Sequence, residues 1–183
     1  TDLRSNPSGY VATSCSVTSA HTEITCTSVP GIGKNIEFWI SNLAGSYSNV
    51  LNAYSARFHS PTLISIAIKP GTLGGLTTTT LPTEGGTTVV LVGTNYGPLT
   101  TISEFLNDDL SSVTYGGATA SGYIAGSCTV VVAQTTIECQ VVMGTGSNHK
   151  WNVVRGDQSS DVSTFMSSYA PPILNSVSGQ SLT

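Results

Sequence analysis

Two stretches of this chain repeat one another at a fixed offset, and that constrains the fold more than any other feature. Gly9, Tyr10, Ser14, Cys15, Ile24, Cys26, Gly31, Gly33, Asn35 and Phe38 meet Gly122, Tyr123, Ser127, Cys128, Ile137, Cys139, Gly144, Gly146, Asn148 and Trp151, all 113 positions on. Further along the offset falls to 111, so that Gly45 matches Gly156, Phe58 matches Tyr169, and Pro61 and Ile66 match Pro172 and Val177. A loop difference of two residues explains the slip. A period of this length, close to that of a small domain, points to tandem modules rather than one large domain.

The phase of the repeat predicts three parts. Residues 61–171 form one complete module of 111 residues, residues 1–60 match its second half, and residues 172–183 match its first strand. The last twelve and first sixty residues together fall 39 short of a module, so simple head-to-tail completion fails. Half a sandwich leaves an apolar face and unpaired strand edges open, and the expectation is a window from a longer array. The chain begins without Met or a signal peptide, as expected of a mature or excised segment of a secreted protein.

Within the complete module, short β-branched or alternating runs are separated by turn residues, and no 3.6-residue period is sustained. Residues 87–92 read as a core strand, and Ile137, Cys139, Val141 and Met143 as one face of a half-buried strand. Gly85-Gly86, Asn95-Tyr96-Gly97, Gly116-Gly117 and Gly144-Thr145-Gly146 supply the positive φ angles of tight connections. Residues 102–110 suit a short helical turn. Roughly seven strands result, which predicts an all-β chain of tandem immunoglobulin-like antiparallel β-sandwiches.

These residues resemble the IPT/TIG domain, an immunoglobulin-like module. The resemblance rests on Pro61-Thr62-Leu63-Ile64-Ser65-Ile66 with Pro70, on Glu84-Gly85-Gly86-Thr87 leading into Gly93-Thr94-Asn95-Tyr96-Gly97, and on Gly144-Thr145-Gly146-Ser147-Asn148. Gly156-Asp157-Gln158-Ser159-Ser160 and Ser168-Tyr169-Ala170-Pro171-Pro172 close the pattern. It covers residues 61–171 throughout and the flanks in part, and departs from the family in a Thr-rich insertion at residues 71–83. The resemblance implies a fold and little else, since such modules occur in adhesion and receptor ectodomains, protist surface proteins, polysaccharide enzymes and Rel-type transcription factors.

The four cysteines form two pairs, Cys15 with Cys26 and Cys128 with Cys139, each at the same place in its repeat. Three connectivities are open to four cysteines, and pairing within a module lets each repeat fold alone. A separation of eleven suits opposite positions across a hairpin. Such bonds persist in oxidising compartments, which predicts an extracellular or cell-surface location. A metal site would want a close C-x-x-C or neighbouring histidines, and the sequence has neither.

Charged residues are only 9% of the chain, and no Lys/Arg cluster is present, so nucleic acid is not an expected partner. No apolar run reaches the length of a membrane span, and membrane insertion by this segment is not expected. His21, His59 and His149 are scattered and read as turn or surface residues. No nucleophile elbow, zincin or P-loop pattern occurs, and Asp108-Asp109 is a lone acidic pair. No catalytic residue, cofactor or metal is therefore assigned.

Arg155-Gly156-Asp157 matches the tripeptide that integrin-type receptors read and is a weak adhesion-motif candidate, since a turn glycine between solvated charges accounts for it without any receptor. Thr77, Thr78, Thr79, Thr80 and Thr83 lie in a tract of the composition that carries O-glycans. Every Asn fails the N-glycosylation rule. Trp39, Trp151, Tyr10 and Tyr123 read as core residues before they read as a sugar-stacking platform. The leading expectation is a non-enzymatic structural repeat of a secreted filament, flagellar-hair-like fibre or wall layer. Its partners would be other copies or neighbouring modules, with glycans as an addition. A cell-surface adhesion or receptor ectodomain and a carbohydrate-binding accessory module are the alternatives.

Overall fold

The computed structural model describes residues 10–40, 48, 51–70, 80–99 and 111–179. The chain divides into two compact units, Thr1–His59 and Ser60–Thr183. Among the described residues every regular element is a strand, and no helix is long and apolar enough to cross a membrane. Residues 102–110 lie outside the described residues.

In the first unit, β1 (Thr13–Ser19) and β2 (Glu23–Thr27) form an antiparallel hairpin, and β3 (Ile36–Phe38) pairs antiparallel with β4 (Leu51–Ala56). The second unit opens with β5 (Thr62–Ile68), β6 (Thr80–Leu81) and β7 (Thr88–Thr94). It continues through β8 (Ser112–Gly116), β9 (Gly122–Ile124), β10 (Gly126–Val132) and β11 (Thr136–Gln140). β12 (Lys150–Arg155), β13 (Gln158–Ser159) and β14 (Ser168–Tyr169) complete it.

Two four-stranded antiparallel sheets run β10-β11-β7-β5 and β13-β12-β8-β9. Val89, Leu91, Val130 and Ile137 of the first and Val113, Tyr115, Trp151 and Val153 of the second belong to one buried cluster, an arrangement that fits a β-sandwich. Tyr115 lies opposite Trp151 in the β8–β12 register with the rings stacked at 4.3 Å. Such a pair contributes about 0.5–1.5 kcal/mol beyond its buried area.

The sheets depart from the sequence expectation in two places. The apolar run of β7 is central in its sheet yet buries one face only: Val89, Leu91 and Gly93 point inward, while Val90 is half-buried and Val92 exposed. In the sheet β7 lies between β11 and β5. The other departure is a two-residue parallel pairing of β6 with β14, Leu81 beside Tyr169. Parallel neighbours need a long connection, and here nearly the whole unit lies between them. Ile137, Cys139 and Val141 alternate inward as expected, whereas Met143 lies beyond β11 and is exposed.

Candidate functional site

The β1–β2 and β10–β11 hairpins share one backbone. Their registers match pair for pair at the offset of 113: Val17 faces Ile24 as Val130 faces Ile137, with register shifts at the same two places. Left-handed residues recur likewise, Ser14 with Ser127, His21 with Gln134 and Asn35 with Asn148. The disulfides Cys15–Cys26 and Cys128–Cys139 each span a Cα separation of 4.1 Å across their hairpin.

A tyrosine latch also recurs. Tyr10 Oη donates to the Ile32 carbonyl (3.0 Å) and accepts from the Ile32 amide (2.8 Å). Tyr123 does the same with Thr145, at 3.0 and 3.2 Å. Tyr10 meets Phe58 edge-on at 5.2 Å, and Tyr123 meets Tyr169 at 5.6 Å. The glycines of the repeat make room for these rings: a Cβ on Gly31 would lie 2.5 Å from Tyr10, and one on Gly144 would lie 2.7 Å from Tyr169.

The two hairpins differ in what covers them. In the second unit β11 is lined along its other edge by β7, from Thr136 opposite Val92 to Gln140 opposite Thr88. In the first unit β1 and β2 form a two-stranded sheet, and among the described residues nothing pairs with the outer edge of β2. Val17 is 65% exposed where Val130 is 1%, Ile24 is 44% where Ile137 is 0%, and Phe38 is 53% where Trp151 is 0%. Val11 and its counterpart Ile124 are both well exposed, so the contrast is confined to positions that the second unit covers.

The second unit closes its core with a ring of hydroxyls that the first cannot form, since Phe58 stands where Tyr169 does. The Val142 amide donates to Tyr115 Oη (3.0 Å), and the Tyr115 and Tyr169 hydroxyls are 2.7 Å apart. Tyr169 Oη returns the bond to the Val142 carbonyl at 2.6 Å. Burial raises the pKa of both phenols, and the bond to Tyr115 raises that of Tyr169 further. Burial also raises the pKa of Tyr96, whose hydroxyl is buried without a hydrogen-bond partner.

The residues singled out in the sequence fare differently. Arg155 is not a solvated turn charge: it is 2% exposed, with Nε donating to the Tyr96 carbonyl at 3.0 Å. Gly156 and Asp157 are the two residues of the β12–β13 turn, with φ of 55° and 59°, the left-handed pair that a two-residue hairpin requires. Of that tripeptide only Asp157 is presented to solvent.

Thr77, Thr78 and Thr79 lie outside the described residues; Thr80 is half-buried in β6 and Thr83 is exposed. Trp151 is core, whereas Trp39 is exposed and aligns with Asn152, not with Trp151. His21 and His59 are exposed. His149 is instead a core residue, edge-on to Tyr123 and Tyr169 with Nε2 3.1 Å from the Thr145 carbonyl. Among the described residues no cluster of three or more His, Cys, Asp or Glu side chains is placed to hold a metal ion. Residues 171–179 carry no strand, and Ile173, Leu174 and Val177 are exposed.

Comparison with protein-family models, curated proteins and solved structures gives no match.

Proposed function

We propose that this chain is a non-enzymatic structural repeat of a secreted multi-module protein, built of immunoglobulin-like sandwiches of the IPT/TIG kind. Its modules assemble with other copies or neighbouring modules into an extracellular filament, flagellar-hair-like fibre or wall layer. The observation that carries this reading is the recurrence, in two separate units, of the same disulfide-closed hairpin with the same register and the same tyrosine latch. A scaffold copied to this level of backbone detail suits stacking of like modules, where each copy must present the same edges and spacing.

Two further features support it. Disulfides in both units suit an oxidising environment. Charged residues are only 9% of the chain, so lateral association would lean on hydrogen bonds, strand edges and apolar contacts. Thr83, exposed beside the Thr-rich tract, is a suitable glycan acceptor.

The test is negative-stain electron microscopy of the native material at physiological salt. Regular filaments with a module-sized axial repeat support the reading, and raising the salt should leave them intact while a thiol reductant loosens them. Dispersed flexible rods would instead favour a receptor or adhesion ectodomain.

A further inference from the structure

We propose that the outward face around β3, with Glu37 and Trp39, docks on the outward face of β12, with Lys150, in another copy of this chain. Resting on the reading of like modules that assemble, the contact names the faces through which they meet. Along β12 the side chains of Trp151, Val153 and Arg155 turn inward, and those of Lys150, Asn152 and Val154 turn outward. Moved back by 113 positions, the same alternation sets Ile36 and Phe38 on the inward side and Glu37 and Trp39 on the outward one.

This side is open in the second unit too, where both four-stranded sheets are present. Ile124 of β9 is 68% exposed there, as its counterpart Val11 is 78% exposed in the first unit. Ile124, Thr114 and Asn152 stand in one row across β9, β8 and β12. In the next row Lys150 lines up with Gly116 and Gly122, which have no side chain to lay over it. Glu37 and Trp39 are likewise exposed.

Charge and bulk distinguish the two faces. Glu37 stands where Lys150 does, and Trp39 where Asn152 does, so one position of a shared scaffold carries opposite charges in the two units. Among the described residues neither Glu37 nor Lys150 takes part in an ion pair. Two first-unit faces brought together would oppose two carboxylates, and two second-unit faces two ammonium groups, whereas a first-unit face on a second-unit face pairs them. Like charges set opposite one another are strongly disfavoured, so the inversion selects the mixed contact. Trp39, Val11 and Ile124 supply its apolar area, and tryptophan is a residue type on which binding energy concentrates. One ion pair per contact decides which faces meet more than how tightly they hold, in keeping with an assembly that salt leaves intact. Each copy offers one face of each sign, and such a head-to-tail contact propagates into a filament wherever the rotation between copies does not close a ring.

The experiment measures self-association of the full chain, disulfides intact, by sedimentation velocity at physiological salt. The parent is compared with Glu37→Lys, Lys150→Glu and the double variant. Each single variant is expected to weaken association by about tenfold or more, and the double variant to return it to within about threefold of the parent. An equimolar mixture of the two single variants should associate as the parent does, a rescue that misfolded chains cannot give. Tryptophan emission should move to the blue on association, because Trp151 is already buried and Trp39 is the ring left to cover. Unchanged association in the single variants, no recovery in the mixture, or a parent chain that stays monomeric would each overturn the proposal. Filaments that persist in both single variants would sink this contact and leave the filament reading standing; charge-dependent pairing that never extends into filaments would do the reverse.

Discussion

Arg155 reaches 59 positions back along the chain to bond Tyr96: its Nε donates to the Tyr96 carbonyl at 3.0 Å, and the guanidinium is enclosed. The bond joins the end of β12 to the loop after β7, two elements from different sheets of the second unit. Removing it strips a charged hydrogen bond from a buried acceptor. Arg155→Ala should therefore cost about 2–4 kcal/mol in denaturant unfolding. Asp157→Asn, which keeps a residue suited to the left-handed turn position (φ 59°), should cost under about 1 kcal/mol. Equal costs for the two would place the arginine outside the core.

Tyr96, Tyr115 and Tyr169 are all buried tyrosines in one unit, yet their hydroxyls differ in kind. The Tyr169 hydroxyl is part of the ring that returns to Val142, whereas the Tyr96 hydroxyl has no hydrogen-bond partner. Tyr169→Phe should lose about 1–2 kcal/mol by breaking two bonds of that ring. Tyr96→Phe removes a desolvated group that gains nothing, and should leave stability unchanged or raise it by about 1 kcal/mol. Thermal or urea unfolding of the two variants separates these outcomes, and a Tyr96→Phe loss as large as that of Tyr169→Phe would contradict the geometry.

How far the sequence discloses this structure depends on whether the signal is local. The hairpins and their disulfides are legible because the cysteine separation and the repeat report the same thing twice. Period two along β12 also places Arg155 on the inward face of Trp151 and Val153, a signal that the exposed look of Arg-Gly-Asp hides. The outward valines of β7 are not legible, since a continuous apolar run reads the same whether one face or both are buried. The hydroxyl ring is not legible either, because Tyr115 and Tyr169 lie 54 positions apart and only the fold brings them together.

Alkaline pH should unfold the second unit through the same three phenols. Burial raises each folded-state pKa above the usual value of about 10. Below that pH both folded and unfolded chains hold the protons, and the stability is fully present. As pH rises through it the unfolded chain releases protons that the folded one keeps, so stability is lost. Each phenol then costs about 1.4 kcal/mol per pH unit until its folded pKa is reached. Near-ultraviolet absorbance should show these three among the seven tyrosines ionising only together with the loss of β-sheet circular dichroism. Smooth titration of all seven in a folded chain would refute it.

The two disulfides close identical hairpins but should not yield to reductant together. Cys128 and Cys139 are each 1% exposed and lie in the core beside Ile137 and Val130, while Cys15 and Cys26 are exposed on a hairpin that nothing covers among the described residues. Thiolate attack needs a line of approach to sulfur, and the covered pair offers one only after the sheet β10-β11-β7-β5 opens. Limited reduction followed by alkylation and mass spectrometry should therefore label Cys15 and Cys26 first, with Cys128 and Cys139 modified only under conditions that also unfold the second unit. Losing the first crosslink costs that hairpin about 2–3 kcal/mol of chain-entropy stabilisation, a large share of what so exposed an element can hold.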